Sequence, residues 1–188
     1  AVGMTPEILE QELKWIDDHI DGMPYGVDVL IPASFKGKDE DLKPTDWAQM
    51  IPQEYRDFRA DVLKQYGLDG EDLRKQTEQN SNFGNNMRDE TAKQMLEVAF
   101  SHPIKLIANA LGVPPSWMLE MGKDNNVLVA ALVGAKEHAI RQVQAGVDIL
   151  VVSGTEGGGH CGSVSTMVLV PEVARAIRPI KEIPILAA

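Results

Sequence analysis

The sequence predicts an α/β fold in which parallel strands are covered by helices. Short, near-continuous apolar runs recur along the chain, and each is followed by an amphipathic helical stretch. The repeat of roughly 20–35 residues suits either a (β/α)8 barrel or an open doubly wound sheet, and periodicity alone does not separate them. Both architectures bind ligands at the C-terminal ends of their strands. A glycine-rich run, Ser153-Gly154-Thr155-Glu156-Gly157-Gly158-Gly159-His160-Cys161-Gly162, lies at such an end, directly after the apolar Val147–Val152.

The elements follow in order. Thr5-Pro6-Glu7 predicts a helix start: a hydroxyl N-cap, a proline at the first helical position and an acid in the first turn. Leu9, Leu13, Ile16 and Ile20 then share one helical face. Asp21-Gly22-Met23-Pro24 ends this helix, and Tyr25–Pro32 reads as a strand. From Lys36 to about Phe100 charges and amides dominate, with helical segments expected near Gln53–Tyr66 and Asp89–Phe100. This span has too few large apolar residues for a core of its own. It is expected to be an acidic, partly helical insertion, 36–100, within one domain covering 1–188. Its functional reading is a lid or partner surface, and its plainer reading is a decoration.

Order returns after it. Pro103–Asn109 is strand-like, Pro114–Met121 is a short helix closed by Gly122, and Asn126–Val133 is a second apolar run. Lys136–Ala145 reads as a helix ending at Gly146, followed by the Val147–Val152 strand. Val170-Pro171 is expected to open a helix through Ile177, with proline at its first position, and Ile183–Ala188 to start another strand.

Composition narrows the functional classes. The 188 residues carry a net charge of −10, which argues against nucleic acid or an anionic membrane surface as partner. The single cysteine excludes an internal disulfide and fits a reducing compartment. With no signal-like opening and no apolar run of about 18 residues, a cytoplasmic location is expected.

The chemistry concentrates in the glycine-rich run. Glycines let the backbone turn and approach a ligand, and successive N–H groups form an anion-attracting nest. His160 at the strand mouth is suited to proton transfer near neutral pH. His138, in a helix after a strand end, is a candidate to line the site, whereas His19 and His102 read as structural. Glu156 reads first as a cap for backbone N–H groups. Cys161 adjoins His160, but neighbouring residues diverge in extended chain, so a Cys–His nucleophile is the weaker reading. No cluster has metal-ligand spacing.

These residues carry a family resemblance. The stretch ALVGAKEHAIRQVQAGVDILVVSGTEGGGHCGSVSTMVLVPEVARAI, with IPILAA after it, resembles the nitronate monooxygenase family of FMN-dependent TIM-barrel enzymes. The shared pattern is a helix ending in AG-x-D, a strand ending in a polar residue and glycine, E-x-GGH, then a T-x-x-L-x-P helix start. VGMTPEILEQEL and PYGVDVLIP extend the likeness to residues 1–35, beside 103–188. The resemblance implies that His160 is the active-site histidine beside the flavin, acting as base or hydrogen-bond donor. It implies cofactor contacts at Asp28, Ser153, Gly157 and Gly158. Two of these depart from the pattern: Ser153 stands where many members have glutamine, and Asp28 where they have asparagine. An ionised aspartate only accepts hydrogen bonds.

A complete barrel of this type needs about 250 residues, so a partial TIM barrel with strands 2–6 is expected, without the loops that hold the FMN phosphate. The implied activity is oxidation of alkyl nitronates with O2, on a small-molecule substrate, with homo-oligomerisation left open. The alternatives are an NAD(P)H-dependent FMN reductase of enoyl thioesters or quinones, because STMVLVPEV is also similar to FMN-dependent enoyl-acyl-carrier-protein reductases, and a non-catalytic barrel fragment.

Overall fold

The computed structural model describes residues 1, 3–33, 51–68, 70, 87–159 and 161–188. Five strands form one sheet: β1 (Gly26–Val29), β2 (Leu106–Asn109), β3 (Leu128–Val133), β4 (Ile149–Val152) and β5 (Ile185–Ala187). They pair in chain order, and every pair is parallel. A doubly wound sheet reverses its strand order at a switch point, whereas this sheet winds in one direction throughout, as a barrel wall does. Winding decides what periodicity left open.

The helices among the described residues are α1 (Pro6–His19), α2 (Gln53–Gln65), α3 (Asp89–Phe100), α4 (Ser116–Asp124), α5 (Lys136–Ala145) and α6 (Thr166–Ile177). Side chains alternate along each strand. Val27, Val29, Ile107, Val129, Ala131, Val133, Leu150 and Val152 are buried and form the core. The alternate residues, including Asp28, Leu128, Leu132 and Leu186, point to the opposite, inner face, where all four are exposed.

Local sequence accounts for most element boundaries. Thr5 caps α1, its Oγ1 accepting from Ile8 N at 3.2 Å, and Pro6 opens the helix as expected. Leu9 and Leu13 are its buried residues. α5 has the expected bounds and ends on Gly146, whose φ of 100° lies in the left-handed region that glycine tolerates. Asp148, two residues further on, accepts from Val129 N at 3.0 Å and ties the start of β4 to β3.

Three expectations change. α3 lies inside the span read as an insertion, yet it packs against α1 and buries Ala92, Met95, Leu96 and Ala99 in the core. It is the crossover helix that brings the chain back to β2, so its apolar face serves the sheet. Gly122 does not close α4 but lies within it. A Cβ there would come within 2.6 Å of Val129 Cγ2 and 3.0 Å of Val127 O, so the glycine lets the helix press onto β3. Pro171 sits inside α6, which starts five residues earlier at Thr166. Proline here lacks the N–H that would bond the Met167 carbonyl, but Met167 is exposed and water can take that place.

Opposite the strand C-termini, His102 joins the turn after α3 to α1. Its Nδ1 bonds Asp17 Oδ2 at 2.5 Å and its Nε2 bonds Glu10 Oε2 at 3.0 Å, while Tyr25 donates to the other Asp17 oxygen at 2.6 Å. His19 stacks on Trp15, with ring centroids 4.3 Å apart. Both histidines have the structural roles expected of them. α2 buries none of its residues, and Tyr55 and Phe58 on it are exposed.

Candidate active site

At the C-terminal ends of the strands, an apolar run that stops on an amide creates the first fixed point. Asn109 ends β2 with its side chain fully buried. Its Oδ1 accepts from Ile31 N at 2.9 Å, and its Nδ2 lies 3.2 Å from the carbonyls of Ile31, Leu111 and Gly112. One side chain thereby holds together the chain leaving β1 and the chain leaving β2. Gln142 on α5 adds a third element, its Nε2 donating to Gly112 O at 3.0 Å.

The glycine-rich turn is folded by its own polar groups. Ser153 N bonds Val133 O and Thr155 N bonds Val164 O, both at 3.0 Å. Thr166 Oγ1 accepts from Gly154 N at 2.9 Å, and Glu156 Oε2 accepts from Thr166 N at 2.8 Å and from its hydroxyl at 3.0 Å. Glu156 therefore caps α6. The bond from Thr166 N, helped by the Glu156 backbone N–H, holds its carboxyl below the ordinary range. Gly154 must be glycine, because a Cβ would run into Thr166 N and Val164 O. Gly162 lies against the Gly134 carbonyl in the same way, so the returning turn closes on the end of β3.

Between these loops lies a cavity of about 510 Å³. Pro32, Ala33, Leu111, Val113 and Leu132 give it apolar walls, and His138, Arg141, Gln142, Ser153 and Cys161 give it polar ones. His138 thus lines the site. Ser153 does too, beside the free thiol of Cys161. Asp28, Gly157 and Gly158 do not line this cavity. Asp28 lies on the inner face of β1, and partial desolvation raises its carboxyl above the ordinary range. A Cβ on Gly157 would collide with Ser153 Oγ, whereas nothing lies within 4 Å of one on Gly158, so that backbone stays approachable. His160 lies outside the described residues. Among the described residues no group of three or more His, Cys, Asp or Glu could hold a metal ion, and no helix is long and apolar enough to cross a membrane.

Asn109, Arg141 and Gln142 were missed by sequence reasoning. The available signal was weak: an amide closing an apolar run, and two polar residues one helical turn after His138.

A parallel sheet wound in one direction, with its cavity at the strand C-termini, defines a segment of a TIM barrel. The chain belongs to the nitronate monooxygenase family, whose model matches residues 1–188. It is 44% identical to a Mycobacterium tuberculosis protein named as a monooxygenase, over all of this chain and 49% of that protein. It is 23% identical to a Bacillus subtilis protein described as a probable nitronate monooxygenase, over 98% of this chain and 48% of that one. A Rhodococcus jostii octahydroindene-carboxyl-CoA dehydrogenase is 32% identical over 108 residues, 56% of this chain and 29% of that protein. In fold, the chain resembles nitroalkane oxidase from Streptomyces ansochromogenes, with a TM-score of 0.68 and 21% identity over 100% of this chain and 49% of that one. It also resembles FabK from Thermotoga maritima, with a TM-score of 0.58 and 20% identity over 98% and 39% of the two chains. The chain spans about half the length of the relatives that it matches along its whole extent.

Proposed function

We propose that this chain forms part of an FMN-dependent oxidoreductase that oxidises alkyl nitronates with O2. Family membership over all 188 residues carries the reading. The cavity at the strand ends supports it. The residues present fit a flavin: Ser153 offers a hydroxyl within the cavity, and Gly158 offers an open backbone. FMN, when bound, supplies the two-electron acceptor that O2 reoxidises.

The chain's own residues position and manage protons. Ser153 donates or accepts at the ring edge, and Gly157 and Gly158 let the backbone come close. Asp28, with its raised carboxyl, is protonated more readily than an ordinary aspartate and can then donate as an amide does. His160 acts as base toward a carbon beside the nitro group, or as donor to a nitronate oxygen as charge leaves it. O2 consumption with an alkyl nitronate, lost in His160→Ala, is the expected result. Full activity in that variant removes the role of His160.

A second reading is supported by the relatives named as CoA dehydrogenases. It gives the same flavin a thioester substrate and NAD(P)H as partner. Anaerobic bleaching of the flavin by NADH, with no bleaching by a nitronate, favours this second reading. Residues 36–100, apart from α3, are proposed as an insertion within a single barrel domain.

A further inference from the structure

Acidic residues outnumber lysine and arginine in this chain, 28 to 18, yet among the described residues none of them lines the cavity at the strand C-termini. Its charged wall is basic. Arg141 and His138 supply it from α5, where their spacing puts them on one face of the helix. The cavity at the opposite ends of the strands, about 390 Å³, is different, because Glu120, Lys123 and Asp148 line it together. The lack of acid is particular to one end of the sheet.

The acids nearest to this wall are engaged elsewhere. Lys136 lies 3.0 Å from Glu172 and 3.6 Å from Glu137, so both carboxylates have their own cation. Arg141 has no hydrogen-bond or ion-pair partner among the described residues. A guanidinium only donates, through N–H groups set in a planar fork that matches two oxygens of one anion. Leu111, Val113 and Leu132 give the cavity apolar walls, and low-dielectric walls around a charge of one sign concentrate its field. Such a hollow suits a ligand that brings the negative charge itself.

We propose that Arg141, with His138 beside it, is a specificity-determining residue that binds an oxyanion of the substrate. On the leading reading this oxyanion is the nitronate's own pair of oxygens, so that a charged nitronate is preferred to a neutral ligand of the same shape. On the thioester reading it is a phosphate of the acyl carrier. The proposal rests on the reading that the substrate enters this cavity.

The test uses the whole oxidoreductase of which this chain forms part, with butyrate as a two-oxygen anion, butyramide as its uncharged counterpart, and inorganic pyrophosphate. Binding is read by titration calorimetry, so neither turnover nor a flavin signal is required. Arg141→Gln is expected to weaken butyrate about tenfold, in the range of one charged hydrogen bond, and to leave butyramide unchanged. Arg141→Lys keeps the charge and is expected to retain part of the preference for the anion. A loss confined to pyrophosphate assigns the oxyanion to a phosphate instead. If Arg141→Gln weakens all the probes equally, or none, or if the unaltered enzyme binds neither anion, the proposal falls. The flavin reading is judged separately on the same unaltered enzyme, by its visible flavin absorbance and by O2 consumption with an alkyl nitronate. Should both be missing, that reading falls, and the calorimetry still decides the oxyanion site.

Discussion

Asn109 shows how much can hang on one side chain. Its carboxamide serves four backbone groups on two segments, and Ile31 lies 78 residues away in sequence. Each buried group left without a partner costs about 1–3 kcal/mol, so Asn109→Ala is expected to lose at least about 2 kcal/mol in a denaturant titration. Asp28 presents the opposite case. Its carboxyl is raised, so its folded form favours the proton. The stability linked to it is fully present below the unfolded pKa and is lost as pH rises through the folded value. Asp28→Asn is therefore expected to raise the thermal midpoint at pH 7, with a gain that shrinks toward pH 4. An unchanged difference across that range would show that the carboxyl is not strained by its surroundings. The Asn109 role was not legible in sequence, because a strand-ending amide looks the same whatever distant backbone it meets.

At the scale of elements, close packing and capping set the boundaries. Gly122→Ala forces a methyl against Val129 and the Val127 carbonyl, and the carbonyl cannot move without disturbing β3. Overpacking of this kind costs typically about 1–3 kcal/mol, and a lowered denaturation midpoint is the expected outcome. Glu156 links the glycine-rich turn to α6. Its carboxyl is held below the ordinary range, so its contribution is present above the unfolded pKa and is lost as pH falls through the folded value. Glu156→Gln should lower the melting temperature at pH 7 and matter less in acid. The helix bounds of α5, the cap of α1 and the role of Glu156 as a cap for backbone N–H groups were legible because the residues involved lie within a few positions of one another, or ten at most. The proline rule misplaced the start of α6. The rule that places proline at a first helical turn pointed to Pro171, although the T-x-x-L-x-P pattern of the resemblance starts a helix at Thr166, and the burial of Leu169 and Val173 in the core shows that the helix runs through the proline.

For the whole molecule, the link between α1 and the turn after α3 predicts a dependence on pH. Both ring nitrogens of His102 face carboxylates, Asp17 and Glu10, and a neutral imidazole can donate to only one. Burial works against the charged ring, but the hydrogen bonds to Asp17 and Glu10 carry its pKa above the ordinary value. This contribution is fully present below about pH 6.5 and is lost as pH rises through the folded pKa. Denaturation measured from pH 6 to 9 should show the unaltered chain losing stability that His102→Gln never had. Parallel curves for the two would refute the link.

The sequence by itself determined the alternation of strands and helices, the glycine-rich turn at a strand end and the family to which the chain belongs. These depend on periodicity and on residues close together in the chain. Tertiary structure alone decided the one-way winding of the sheet, the place of α3 in the core, and the meeting of Asn109, Gly112 and Gln142 around the cavity. Those are contacts between segments far apart in sequence, and a hydrogen bond across such a distance has no local pattern to announce it.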